Sequence, residues 1–567
     1  MNFSKDYSKI TLIFLFGFFL LLNIFQLSQQ HWSAILDQDI KIIYNSLLIS
    51  SGFEQEYKDH PAYTTFLILG SIYKFLSIFF DNFTIQEILI SKNIDENLQT
   101  LFIIARVLNS IYFFLVVLIL FGILKELNIN KKISILSTFL IIFLSDTYDL
   151  LFLIRSEILS VLMFLLFLYY LIKFIKKKNK INYCFFSGFF LCLAMLAKIQ
   201  VIFLFITFLI SLPFLFNYFT ISDNKNYLIH ERKYYILSLF FLNTFLIGYI
   251  IIQLILGTSL SKAYLMPRFH FTNNIDLFLL LIFVIFYFFL IKFLSIKKIT
   301  NFSEILTTIS IILLGFVFCL IFIFFLDLIN LIPLNKLILM RLINPLAYMS
   351  QFINEVSNYN PDIITTLKEY FYGALRSFPV DFNKGEITPK ETKTILFIDA
   401  RLFFRTTNII IFLPLFYFLL KKIKNNNLTL LSLVLYLGAF IYIVSINFRE
   451  THGYNIYIFP LFIILASIVL NKLEKKIVII FYLLLSISFL SEIVMLSDFH
   501  KNHFIREPRI YDICGIEKWK NSENYIANYN KSSNINLTQY IKLHFVTFLT
   551  KFDDQFIIKY CDQMKYN

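Results

Sequence analysis

The sequence predicts an all-α membrane protein: a polytopic bundle of about thirteen transmembrane helices with amphipathic helices outside the membrane. Three observations predict it. The chain of 567 residues is 58% hydrophobic and only 16% charged, whereas a soluble domain carries about 25% charged residues. Apolar runs of about 20 residues recur along most of its length, which is the length a helix needs to cross a bilayer. The basic clusters, such as "KKKNK" at 176–180 and "KKIK" at 421–424, sit at the ends of those runs. Nothing in the pattern shows the short alternating segments of a β-barrel.

The elements follow in order. The spans expected are 10–30, 101–124, 134–148, 158–175, 182–197, 199–216, 234–256, 275–295, 303–330, 397–420, 428–447, 455–471 and 477–497. Lys5 and Lys9 put the N-terminus in the cytoplasm, and the later basic loops fall on that same side when 62–80 does not cross. Residues 31–100 then form one large external loop of amphipathic helices resting on the membrane. Within it Ile40, Ile43, Tyr44, Leu47 and Leu48 share one helical stripe. Residues 1–497 are read as the transmembrane unit, with a second external loop at 331–394 and a small external tail at 498–567. The N-terminal run lacks a small-residue cleavage site and reads as an uncleaved first span.

The net charge of +14 belongs to these flanking clusters, which excludes nucleic acid as a partner and leaves membrane lipids. Cys184, Cys192 and Cys319 fall in spans and read as core packers. Cys514 and Cys561 share the tail, where an oxidising compartment permits a disulfide. No GxxxxGK[ST], GxGxxG, CxxC or HExxH occurs, so nucleotide chemistry has no visible machinery.

Four groups carry polar chemistry at the edge of the apolar runs. Asp37 and Asp39 lie just beyond the first span. Asp37 is placed to cap a helix starting near Ile40, with Asp39 in its first turn. A carboxylate at such a boundary can also act as a base or bind a cation. Arg155 and Glu157 head the span at 158–175. Lys198 stands between two apolar halves, either in a tight external turn or buried. Arg449, Glu450, His452 and Tyr454 occupy a very short link between two spans. Arginine presents five donors in a fixed fork that suits a phosphate.

The order of these motifs resembles the GT-C superfamily of integral-membrane glycosyltransferases, in particular the protein O-mannosyltransferases and the lipid A aminoarabinose transferases. The residues that carry the resemblance are the acidic "DQD" of Asp37 and Asp39 and "HPAYTTFLILG" with His60 and Tyr63. They continue with "IARVLNSIYFFLVV" at Arg106, Arg155 with Glu157, "GFFLCLAMLAK" ending at Lys198, and the late Arg449, Tyr454 and Pro460.

The resemblance implies a GT-C-like bundle that transfers a sugar from a polyprenyl-phosphate donor with inversion. The acceptor would be a glycan, lipid or protein, on the external side of a bacterial inner membrane, with the C-terminus in the periplasm. It implies catalytic roles for Asp37, Asp39 and Glu157. It implies substrate binding by His60, Tyr63, Arg106, Arg155, Lys198, Arg449, His452 and Tyr454. The Asp-Gln-Asp spacing departs from the adjacent Asp-Glu of many members and leaves open which aspartate is the base. No metal-ligand set is recognisable, and a divalent cation is left open. A lipid-linked glycan polymerase or ligase, or a transporter or flippase, are the competing readings. The lack of an internal repeat and the count of only 13 glycines speak against transport.

Overall fold

The computed structural model describes residues 39–53, 55, 62–90, 94–141, 153–176, 180–198, 302–329, 331–333, 456–457 and 459–471, with scattered positions at 17–25, 201–216, 289–292 and 473–483. Among the described residues every regular element is helical. They are α1 (Asp39–Ser50), α2 (Tyr63–Leu76), α3 (Ile85–Ile90), α4 (Ile94–Glu126), α5 (Lys131–Phe139), α6 (Ser156–Lys176), α7 (Ile181–Ala197), α8 (Phe302–Leu328) and α9 (Phe459–Leu470). Among the described residues three stretches are long and apolar enough to cross a membrane: Glu96–Glu126, Ser156–Lys176 and Glu304–Leu328. They coincide with three expected spans, and α7 matches a fourth to within a residue. The remaining expected spans are only partly described or lie outside the described residues.

The bundle has a fixed sense. α4 and α6 run parallel, since Asn109 meets Leu153 near one end and Glu126 meets Lys176 at the other. α7 returns antiparallel to α6, with Ser160 Oγ donating to Ala194 O at 3.0 Å. α8 runs parallel to α7 and touches it closely. A Cβ on Gly188 would overlap the Ile312 carbonyl, and one on Gly315 would overlap the Phe185 carbonyl. Small residues allow this approach where no hydrophobic force drives apolar helices together in lipid. Gly188→Ala should therefore cost about 1–3 kcal/mol through overpacking, read as a lower unfolding midpoint in detergent. Gly17, with nothing within 4 Å of its would-be Cβ, is the control; an equal response at both positions would reject the close contact.

One end of the bundle is basic. Lys176 Nζ reaches Glu126 Oε2 at 3.3 Å and Asn128 Oδ1 at 3.1 Å, and Lys173 lies 4.3 Å over the Tyr169 ring. Lys125, Lys131, Lys132 and Lys180 flank these turns. Asn130 caps α5 by accepting from Lys132 N–H at 3.0 Å. The end of α9 returns here, where the Asn471 side chain accepts from Asn130 N–H at 2.9 Å.

The opposite end carries a second, smaller apolar cluster built from α1, α2, α3 and the first turns of α4. Two expectations need correction there. The sequence predicts α1 as an amphipathic helix resting on lipid, but residues 42–50 are all buried. Its polar side chains make this tolerable by bonding to carbonyls: Ser46 Oγ donates to Ile42 O at 2.7 Å within the helix, and Ser50 Oγ donates to Phe83 O at 2.8 Å across to the turn before α3. α4 is longer than the expected 101–124. Its first turns leave the apolar bundle and give Leu98, Leu101 and Phe102 to the second cluster. A third correction concerns 134–148. α5 starts at Lys131, ends at Phe139, and passes into a turn at 140–141. α2 has 14 residues, about 21 Å at 1.5 Å per residue, which is shorter than the ~30 Å apolar core.

Cys184, Cys192 and Cys319 are buried free thiols, as core packers should be. Cys514 and Cys561 lie outside the described residues, as do the loop 331–394 beyond Pro333 and the tail.

Candidate active site

The polar groups gather where the smaller cluster meets the bundle. Asp39 is the first residue of α1 and is fully buried. Its Oδ2 accepts from the Ile154 N–H at 3.1 Å, while its Oδ1 has no partner among the described residues. The guanidinium of Arg106, also fully buried, acts on it electrostatically and lies 5.5 Å from the Phe102 ring. One turn further along α4, Asn109 Nδ2 donates to Leu153 O at 2.7 Å. The segment before α6 is thus tied to α1 and to α4 together.

Burial raises the Asp39 carboxyl from its ordinary 3.8 to about 7, against the opposing pull of the Arg106 charge and the Ile154 N–H. Between those values the folded protein holds a proton that the unfolded chain releases. The associated stability is fully present below about pH 4 and is lost as pH climbs to 7, by up to about 1.4 kcal/mol per pH unit. The protein should melt at a lower temperature at pH 8 than at pH 5, and Asp39→Asn should flatten that slope. Identical slopes for the two proteins would mean that Asp39 titrates as a solvated carboxylate.

Lys198 and Glu157 form the second part of the site. Lys198 follows the last turn of α7 in an extended conformation, φ −156° and ψ 113°. This points its ammonium back at the head of α6, where Nζ meets Glu157 Oε1 at 2.8 Å. Of the two alternatives read from the sequence, an external turn or burial, the structure shows burial: the Lys198 side chain is 1% exposed, just past the last turn of α7. The expected separate roles, Glu157 acting in catalysis and Lys198 binding substrate, here share one contact. Arg155 is half-buried on the same segment.

Tyr63 opens α2 and is buried, its Oη without a partner among the described residues. Burial, with the charge of Asp327 adding to it, pushes its phenol well up, so it stays neutral. Its neighbour Thr64 donates to Leu193 O at 2.8 Å and pins α2 onto the end of α7. The structure thus brings Asp39, Arg106, Arg155, Glu157 and Lys198 to one end of the bundle, with Tyr63 on the helix docked there. Asp37, His60, Arg449, His452 and Tyr454 lie outside the described residues. Asn109 and Thr64 were not among the expected residues. A polar amide one turn after Arg106 within an apolar span was the available signal for Asn109.

Membrane-length helices that gather buried carboxylates and cations at one end define a helical membrane protein with a polar site at the edge of its apolar bundle. Residues 96–250 match the family model of the dolichyl-phosphate-mannose-protein mannosyltransferases, a GT-C type glycosyltransferase family. The match takes in Arg106, Arg155, Glu157 and Lys198, and it bears out the resemblance carried by those motifs. No curated protein and no solved structure matches the chain.

Proposed function

We propose that the protein is a membrane glycosyltransferase that takes a sugar from a polyprenyl-phosphate donor and passes it, with inversion, to an acceptor outside a bacterial inner membrane. One observation carries the reading. The segment that matches the mannosyltransferase family supplies Arg106, Glu157 and Lys198, three of the ionisable groups buried at the polar end of the bundle beside Asp39. The Lys-rich turns at the other end support a cytoplasmic position for that end, and so an external one for the site.

The chemistry is a single displacement. Asp37 takes the proton of the acceptor hydroxyl as its oxygen attacks the anomeric carbon. The bond from that carbon to the phosphate oxygen breaks, and the electron pair leaves with the polyprenyl phosphate. Attack opposite the leaving group inverts the configuration. Arg449, His452 and Tyr454 meet the departing phosphate, where fixed cations and donors are worth most. His60 and Tyr63 border the acceptor. Asp39 and the Glu157–Lys198 pair hold the framework around Asp37. Residues 1–497 make up the catalytic unit, and 498–567 is an external appendage.

The test is transfer by the purified protein from a synthetic polyprenyl-phosphate sugar to a mixture of glycan, lipid and peptide acceptors. The expected product carries the anomeric configuration opposite to the donor's. Donor that crosses vesicle membranes without any transfer would favour the transporter reading. For sidedness, a cysteine at Asn93 should react with an impermeant thiol reagent from outside, and one at Lys131 only after permeabilisation. The reverse pattern rejects the external site.

A further inference from the structure

One peptide group in the bundle is held at both of its polar atoms. The carbonyl of Leu153 accepts from Asn109 Nδ2 at 2.7 Å. The N–H of Ile154, the other half of the same peptide unit, donates to Asp39 Oδ2 at 3.1 Å. Asn109 is 3% exposed, Asp39 0% and Ile154 3%, and Leu153 is half-buried, so water is kept from the Asp39–Ile154 bond and has only partial access to the other. A trans peptide is planar and its C=O and N–H point in opposite directions. A side chain on α4 therefore grips one edge of this plane while a carboxylate heading α1 grips the other. Turning the plane would break both bonds and leave the buried Ile154 N–H without an acceptor.

What lies on either side gives the clamp its consequence. Arg155 and Glu157 follow the gripped peptide directly, and Glu157 holds Lys198 at 2.8 Å. Asp39 is two residues from Asp37. Arg106, whose charge acts on Asp39, is one helical turn from Asn109. Asparagine suits this place because its amide donates a hydrogen bond without adding a charge beside Asp39.

We propose that Asn109 is a positioning residue for glycosyl transfer: by fixing the Leu153–Ile154 peptide, it holds Asp39, at the head of α1, in register with the segment carrying Arg155 and Glu157. This rests on the function proposed above and deepens it.

The experiment uses the full chain in lipid nanodiscs and has two arms. In the first, hydrogen exchange at the Ile154 amide is slow in the unaltered protein. It quickens at least tenfold in Asn109→Leu, which keeps the size and loses the donor, while amides in the middle of α4 and α6 keep their rates. In the second, Asn109→Leu lowers kcat for sugar transfer by about 100-fold, the usual scale for misplacing a reacting group by about an ångström. KM for the polyprenyl-phosphate donor stays within about twofold, and the loss in the Asn109→Leu, Asp39→Ala double variant, in which both grips on the peptide are gone, is smaller than the product of the single losses. Asn109→Ser, which keeps a shorter donor, falls between and serves if Asn109→Leu does not fold. Unchanged exchange at Ile154, an unchanged kcat in the folded variants, or losses that multiply would each overturn the proposal. A protein that transfers no sugar, yet whose Ile154 exchange still depends on Asn109, rejects the catalytic reading and leaves the clamp as a feature of the fold alone.

Discussion

Lys198→Met lowers the stability of the purified protein by about 3–5 kcal/mol, the cost of leaving one charge of a buried pair without its partner. Glu157→Gln does the same from the other side. Both side chains are nearly inaccessible, 1% and 4% exposed, and they meet at 2.8 Å. Neither can turn to water when the other is removed. The double variant, Glu157→Gln with Lys198→Met, recovers most of the loss, because burying two neutral groups of similar volume costs little. The pair also joins the head of α6 to the end of α7, and Ser160 with Ala194 joins them one turn further in. A single break there loosens the contact on which the polar end is built. Denaturant unfolding in mild detergent measures this. Single variants within about 0.5 kcal/mol of the unaltered protein, the usual range of an exposed position, would mean that the two charges find water instead. Transfer activity need not return in the double variant: its recovered fold with lost turnover would show that the charges matter to the substrate as well.

Asp37→Asn folds and loses about 10²–10⁴ in turnover, the usual worth of positioned proton transfer. Asparagine keeps most of the helix-capping ability of aspartate, so the melting temperature stays near that of the unaltered protein. Asp39→Asn has a different signature. Its amide oxygen still accepts from Ile154, but the charge beside buried Arg106 is gone. Its main effect is therefore on stability, with a smaller loss of turnover. The assay is transfer from a synthetic polyprenyl-phosphate sugar by variants that pass the same folding check. If Asp39→Asn is folded and inactive while Asp37→Asn works, the base is Asp39, whose Oδ1 has no partner among the described residues. If both work, the acidic stretch is a helix cap and the glycosyltransferase reading loses its mechanism.

The sequence by itself determined the class. Apolar runs of membrane length cannot be mistaken in composition, because a backbone in lipid must satisfy its own hydrogen bonds and so becomes helix. The spans later found as α4, α6, α7 and α8 were legible for that reason, to within a few residues at most ends. Five candidate residues that the structure brings to one end of the bundle, Asp39, Arg106, Arg155, Glu157 and Lys198, were also legible as charges at the edges of apolar runs. A charge bordering an apolar run is costly enough to mark a functional or structural need.

Tertiary structure alone decided how those residues pair. Glu157 and Lys198 are 41 residues apart, and their contact depends on α6 and α7 lying antiparallel with matched ends. Asp39 and Ile154 are 115 apart, and no local pattern encodes that bond. The fate of α1 was hidden too. Its apolar stripe is equally suited to lipid or to protein, since both remove it from water. Only the packing of α2, α3 and the long α4 around it determined that protein, and not the membrane surface, covers residues 42–50.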